Sequence, residues 1–136
     1  MQSEHLSNLH AGWVIGGWLI AASVTAALYL GGVGLGLVQP GQGAAVWIGV
    51  SMGGGFFAGG MMVGMRWSDA PVLHGAAITF FSVLVWFAVA LTGESGGVES
   101  VQLVLGLVLL QFIASCSGAW MGRRVTLGGT SRETGT

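Results

Sequence analysis

Four long apolar segments, separated by short polar stretches, dominate the sequence. They cover about residues 11–35, 44–65, 72–91 and 101–122. A hydrocarbon core of roughly 30 Å requires about 20 consecutive apolar residues per helix, so each segment is long enough for one crossing. The pattern predicts an all-α protein, an integral membrane four-helix bundle formed by residues 1–124. Residues 125–136 are small and polar, and they predict a mobile C-terminal tail.

Turn residues set the predicted limits of these helices. Gln39-Pro40-Gly41 follows the first segment, and proline cannot continue a helix. Between the second and third segments, Ser68 or Asp69 could cap the third helix. Pro71 suits its first turn, where backbone N–H groups have no helical partner.

Composition excludes a soluble domain. Of the 136 residues, 53% are hydrophobic and only 7% are charged, whereas soluble domains carry about 25% charged residues. The net charge of −1 provides no basic surface for nucleic acid. The first ten residues contain no Lys or Arg, and the apolar segment behind them is too long for a signal-peptide core. We therefore expect the first helix to be retained.

The arginines predict the orientation of the chain. Arg66 follows the second segment, and Arg123 and Arg124 follow the fourth, as does Arg132. Four crossings place all of these on one side, which the positive-inside rule assigns to the cytoplasm. We expect a multi-pass protein of the cell inner membrane with both termini cytoplasmic. The tryptophans at the predicted membrane boundaries agree with an aromatic belt: Trp13, Trp67 and Trp120 on the cytoplasmic side and Trp47 on the other.

Two short patterns recur in the chain. The first and third helices open with Leu9-His10-Ala11-Gly12 and Leu73-His74-Gly75-Ala76. The second and fourth close with Gly-x-x-x-Gly-x-Arg, at residues 60–66 and 118–124. This predicts two helical hairpins related as a parallel repeat about an axis along the membrane normal. The alternative is coincidence in a glycine-rich chain.

The segment from Gly53 to Arg66, followed by Leu73-His74-Gly75, resembles small bacterial four-helix membrane proteins of unassigned function. In that group a glycine-rich second helix ends in a basic residue, and a short turn leads to His-Gly at the start of helix 3. The resemblance covers about a third of the chain, and it implies a fold and no activity.

Glycine is the most distinctive residue, with 26 in the chain, where the usual share is about 7%. Spacings of four place small residues on one helix face and allow close backbone approach. The glycines predicted to pack helices in this way are Gly49, Gly53, Gly55, Gly59, Gly60, Gly64, Gly118 and Gly122. We expect packing within the bundle or against a partner. The alternative is a flat cofactor lying against the backbone.

His10 and His74 are the candidate cofactor ligands. The repeat would place them at equivalent depths on helices 1 and 3, where two imidazoles could hold haem iron or chlorophyll magnesium. The alternative is that they cap helix starts at the interface, with no cofactor bound. No metal site is predicted otherwise, because Cys116 is the single cysteine. Gln111 lies mid-membrane and is expected to hydrogen-bond across a helix interface.

No Asp, Glu, Lys or Arg falls inside a predicted span, although ion-coupled transporters and pumps normally need such groups. No nucleophile–base pair or phosphate-binding loop is apparent either, so we do not expect an enzyme. The leading hypothesis is a non-catalytic accessory or scaffold subunit of a membrane complex. It would pack through its glycine faces against the larger complex, and its partners would be membrane lipids and other membrane protein subunits or its own copies. The alternatives are a haem- or chlorophyll-binding subunit of an electron-transfer or photosynthetic assembly, and a small channel or transporter.

Overall fold

The computed structural model describes residues 10–38, 43–66, 70–92 and 101–133, with side chains through residue 127. Its described residues form four helices and no strand: α1 (Ala11–Gly34), α2 (Ala44–Arg66), α3 (Pro71–Leu91) and α4 (Val101–Glu133). Each is long and apolar enough to cross a bilayer. The predicted all-α, four-helix fold is therefore confirmed, with four candidate spans as expected of a multi-pass membrane protein.

α1 ends in a Schellman motif before the proline is reached. Gly36 has a φ of +70°, and its N–H donates to the carbonyl of Val33 at 3.0 Å, while the N–H of Leu37 donates to that of Gly32 at 2.9 Å. This pattern satisfies two terminal carbonyls and needs a left-handed residue, which glycine adopts without strain. The helix thus ends through Gly36, and the expected turn at residues 39–41 lies outside the described residues.

α3 begins at Pro71, as predicted, because its missing N–H costs nothing at the first helical position. The N-cap residue is Ala70, which has no capping side chain. Ser68 and Asp69, the expected caps, lie outside the described residues.

α4 is longer than the sequence predicted. It continues to Glu133 rather than ending near Gly122, so residues 125–133 of the expected tail are helical. No proline follows Gly122, and Thr126 docks on α2 by donating from Oγ1 to the carbonyl of Met65 at 3.1 Å. This contact joins the α4 extension to the end of α2.

α2 is the central helix and packs most extensively against α4 and then α1, with α3 packing against α4. The buried core cluster contains residues from all four helices: Val14, Ala21, Phe56, Val63, Ile78 and Ala114. We call the end where α1 and α3 begin the histidine end, and the end where α1 finishes and α2 begins the hairpin end.

Candidate functional site

Gly60 and Gly64 of α2 lie directly against the backbone of α4. A Cβ added to Gly60 would collide with the carbonyl oxygen of Ser115. One added to Gly64 would collide with the carbonyl oxygen of Ala119. Carbonyl oxygens belong to the helix backbone and cannot rotate away as a flexible side chain can, so any side chain here would push the helices apart.

The glycines of α4 make the matching contacts in the other direction. A Cβ added to Gly118 would meet the carbonyl oxygen of Phe57, and one added to Gly122 would meet that of Met61. Each helix therefore presents the carbonyl three residues before its own glycine to the glycine of the other helix. This reciprocal surface, which we call the α2–α4 seam, has the close approach typical of membrane helix pairs.

A second glycine face of α2 receives α1. A Cβ on Gly59 would collide with the carbonyl oxygen of Gly17, and one on Gly55 would lie 2.5 Å from the carbonyl oxygen of Ala21. α2 therefore has glycines without side chains on two faces, so its backbone can contact the backbones of two helices. We call this second surface the α1–α2 seam.

Not every predicted packing glycine contacts a backbone. Gly49 and Gly53 lie next to the side chain of Leu110, where an added Cβ would be 3.8 and 3.7 Å away, ordinary van der Waals separations. On α1, a Cβ added to Gly12 or Gly16 would have nothing within 4 Å among the described residues. These two glycines face outward from the bundle.

His10 and His74 are brought together at the histidine end, but not as a pair of free rings. His74 is fully buried, and its Nε2 accepts the backbone N–H of His10 at 3.4 Å. Its Nδ1 lies 2.8 Å from the carbonyl oxygen of Ala70. Because a carbonyl can only accept, Nδ1 donates in this bond. Ligation of a haem or chlorophyll metal through His74 would require one of these bonds to be exchanged.

A buried hydroxyl pair lies one turn deeper, between α3 and α4. Thr79 Oγ1 and Ser115 Oγ are 2.9 Å apart, and Ser115 Oγ also donates to the carbonyl of Gly75 at 2.9 Å. Thr79 can donate to Ser115 while Ser115 donates to Gly75, which satisfies both hydroxyls. The spacing of residues along α3 and α4 gives no signal for this pairing, because the two hydroxyls lie on separate helices.

The arginines expected to set the topology lie at one end of the bundle. Arg66 closes α2 and is exposed. Arg123 and Arg124 follow Gly122 on α4, and the guanidinium of Arg124 stacks over the Trp120 ring at 3.7 Å from its centroid. This is the histidine end. Of the expected belt, Trp13 and Trp120 lie towards this end and Trp47 near the start of α2, while Trp67 lies outside the described residues.

A cavity of about 410 Å³ lies between α1, α2 and α3 towards the hairpin end. We call it the α1–α2–α3 pocket. Aromatic side chains make up much of its wall, and Thr25, Ser51 and Ser82 add a hydroxyl from each of the three helices. Ser51 is fully buried, and its Oγ has no hydrogen-bond partner among the described residues. No pattern in the sequence singled out these hydroxyls, which lie on separate helices.

A smaller opening of about 240 Å³ separates α3 from α4 at the hairpin end, and we call it the α3–α4 cleft. Its lining is apolar except for Gln111. Gln111 is 2% exposed, yet its Oε1 accepts no hydrogen bond from the described part of the chain. No described residue therefore makes the expected cross-helix bond to this oxygen. At the end of α1, the Trp47 ring lies on Gly32 and its Nε1 donates to the carbonyl of Leu28 at 3.3 Å.

Among the described residues, no three His, Cys, Asp or Glu side chains lie close enough to share a metal ion. What the arrangement offers chemically is a set of neutral hydrogen-bonding groups in apolar surroundings. Such groups can orient an uncharged ligand or a neighbouring helix.

Comparison with protein-family models, with curated proteins and with solved structures found no match to this chain. The resemblance to small bacterial four-helix membrane proteins therefore stays a prediction from the residues that carry it.

Proposed function

We propose that this chain is a non-catalytic accessory subunit of a larger membrane protein complex, and that the outward face of α1 receives a helix of a neighbouring subunit. The observation that carries the proposal is a row of small residues at intervals of four and seven, Gly12, Gly16, Ser23 and Ala27. Such spacing puts them on one helix face. Gly12, Ser23 and Ala27 are exposed, and the space beside both glycines is open.

The outward face of α3 is the informative contrast. It carries Phe80, Leu84 and Phe87, exposed by 65%, 48% and 64%. Large side chains of this kind match lipid tails, whereas small residues allow another backbone to approach closely. The outward face of α1 also exposes Leu19 and Leu30, by 53% and 67%. What distinguishes it from the outward face of α3 is its row of small residues, which leaves room for a neighbouring helix.

The inner seams support the same role. The α2–α4 and α1–α2 seams use the glycines of α2 and α4 inside the chain, so these glycines hold the bundle together and are not offered to a partner. A bundle held by backbone contact presents α1 on a fixed support, which reduces the ordering cost of association. The partner expected is a transmembrane helix that has its own small-residue face.

The proposal is tested by particle size in mild detergent, using the chain extracted from its native membrane. Wild type should migrate well above the lone 13.9 kDa chain in its detergent belt. Gly16→Phe and Ala27→Phe, which fill the α1 face, should release the lone chain. Leu84→Phe on α3 is the matched control and should leave the complex intact. A lone wild-type chain, or equal effects of Gly16→Phe and Leu84→Phe, would contradict the proposal.

The nature of the neighbour is resolved by co-expressing two differently tagged copies. If capture of one tag recovers the other, the partner is a second copy of this chain. If it recovers a different polypeptide, that polypeptide should become crosslinked to a photoreactive residue at position 23. The same residue introduced at position 84 should give no crosslink.

The proposed setting is the cell inner membrane, with both termini cytoplasmic. It is supported by the location of Arg66, Arg123 and Arg124 at the histidine end. In a Cys116→Ser background, a membrane-impermeant thiol reagent on intact cells should label Gln39→Cys and not Ser68→Cys. Labelling of Ser68→Cys alone would reverse the orientation. The proposed hairpin repeat is supported by the reciprocal contacts of the α2–α4 seam.

A further inference from the structure

We infer that the α1–α2–α3 pocket binds an uncharged, lipid-soluble aromatic ring that carries carbonyl or hydroxyl groups, the chemical class of the membrane quinones. This goes beyond the accessory role, since the pocket belongs to a single chain and does not require the α1 face. Four lines of observation support it: the pocket's hydroxyls, its aromatic wall, its lack of charge and its size.

The hydroxyl of Ser51 is the group that calls for a ligand. It is completely buried and has no hydrogen-bond partner among the described residues. A serine in a helix usually satisfies its hydroxyl by donating to a carbonyl of the preceding turn, as Ser117 does here to Ala114 at 3.0 Å. An unpartnered hydroxyl in apolar surroundings is unfavourable. A ring carbonyl that accepts from Ser51 would remove that penalty.

Two further hydroxyls lie at a similar depth. A rise of 1.5 Å per residue places Ser51 about 10 Å from the start of α2, and Thr25 and Ser82 about 13 Å from the ends of α1 and α3. All three line the pocket from different helices. Thr25 already donates to the carbonyl of Ala21 at 2.7 Å, so towards a ligand it can only accept. Because Ser51 can donate and Thr25 can accept, these hydroxyls suit a ligand that has both hydrogen-bond-accepting and hydrogen-bond-donating oxygens.

The wall around these hydroxyls is aromatic. Trp18, Tyr29, Phe56 and Trp86 all line the pocket. The Trp18 ring is fixed by an edge-to-face contact with Phe81, at a centroid distance of 5.3 Å and an interplanar angle of 81°. Offset or edge-to-face contact with such rings favours a planar aromatic ligand over a saturated chain.

The uncharged lining of the pocket and its volume restrict the class of ligand further. The described residues that line the pocket include no charged side chain, which disfavours a phospholipid headgroup or an ionic solute. The volume of about 410 Å³ lies within the range of about 300–1,000 Å³ for small-molecule sites. Ala26 lines the pocket and is exposed, so the pocket opens towards the side of the bundle, where a lipid-soluble molecule can enter from the bilayer.

The test is equilibrium binding of decylubiquinone to the full-length chain in lipid nanodiscs, with empty nanodiscs subtracted to remove partition into lipid. Decanol, which has a hydroxyl and a chain but no ring, is the matched probe. We expect saturable binding of the quinone and none of decanol at the same concentration. Equal retention of both probes, or no quinone retained beyond the empty nanodiscs, would overturn the inference.

Variants locate the site. Ser51→Ala removes the unpartnered hydroxyl and should weaken quinone binding by about three- to tenfold, the usual worth of one neutral hydrogen bond. Ser117→Ala removes a hydroxyl outside the pocket and should leave binding unchanged. Ala22→Phe fills the pocket and should abolish binding. Unaltered affinity in both Ser51→Ala and Ala22→Phe, with the helical circular dichroism of wild type, would overturn the site.

Discussion

The carbonyl oxygen of Ser115 occupies the space where a side chain on Gly60 would begin. Ser115 lies three residues before Gly118 on α4, and Phe57 lies three residues before Gly60 on α2. The carbonyl of Phe57 faces Gly118 in the same way. The two helices thus exchange the same contact. Because each contact involves backbone atoms on both sides, the distance between α2 and α4 depends on the absence of side chains at both glycines.

Substitution of Gly122 by alanine should destabilise the bundle. Its Cβ would collide with the carbonyl oxygen of Met61, and overpacking of a close contact costs about 1–3 kcal/mol. The free energy of unfolding, measured by denaturing-detergent titration, should fall by that amount.

Gly106→Ala is the matched control on the same helix, since an added Cβ there has nothing within 4 Å among the described residues. It should leave stability unchanged or raise it by about 0.5–1 kcal/mol, because alanine has less conformational entropy to lose. Equal losses for the two substitutions would show that the destabilisation does not arise at the α2–α4 seam.

Apolar segment length predicted the four helices well, because burial in a bilayer fixes how many consecutive apolar residues each crossing needs. The start of α2 at Ala44 and the proline at the start of α3 were both anticipated. The end of α4 was not. Outside the membrane, a polar sequence gives no length requirement that fixes where a helix ends. Here the hydrogen bond from Thr126 to the carbonyl of Met65 helps to hold the α4 extension.

Replacement of His74 should be more damaging than replacement of His10. His74 contributes both ring nitrogens to buried hydrogen bonds, so His74→Leu leaves the His10 N–H and the Ala70 carbonyl without these partners. The expected loss in unfolding free energy is about 1–3 kcal/mol. His10→Ala keeps its backbone N–H, and therefore keeps the bond to His74.

His74→Leu also tests the alternative of a haem- or chlorophyll-binding subunit. If His74 serves the fold, the purified wild type and His74→Leu should have the same visible absorption spectrum. A Soret or long-wavelength band that disappears in His74→Leu would show instead that His74 ligates a pigment, and would require its Nε2 to leave the His10 N–H.

The hydroxyl pair of Thr79 and Ser115 should be energetically coupled. The two oxygens are 2.9 Å apart and buried, and interhelical hydrogen bonds in membrane bundles average about 0.6 kcal/mol in double-mutant cycles. A cycle of Thr79→Val, Ser115→Ala and the double variant should give a coupling of about that size. Additive losses would show that each hydroxyl is satisfied independently, by the backbone of its own surroundings.

The candidate sites were harder to anticipate than the helices. Glycine spacing identified Gly60 and Gly64 as a small face but not α4 as its neighbour, because spacing along one helix carries no information about which helix lies opposite. The repeat suggested that His10 and His74 are equivalent, and they do lie together. Ser51 gave no signal at all, since a single serine in an apolar span is common and its importance arises only from its neighbours on α1 and α3.

Replacement of Gln111 by leucine should stabilise the isolated chain. The amide is 2% exposed, its Oε1 has no partner among the described residues, and the rest of the α3–α4 cleft is apolar. An unpaired buried polar group costs about 1–3 kcal/mol, whereas an apolar side chain of similar size has no such penalty. Gln111→Leu should therefore raise the free energy of unfolding in detergent by up to about that amount. Gln111→Glu places an ionisable group in the same apolar cleft and should lower it. If Gln111→Leu instead lowers the free energy of unfolding, the amide forms a stabilising hydrogen bond to another helix of the chain. The α3–α4 cleft would then be closed around that bond.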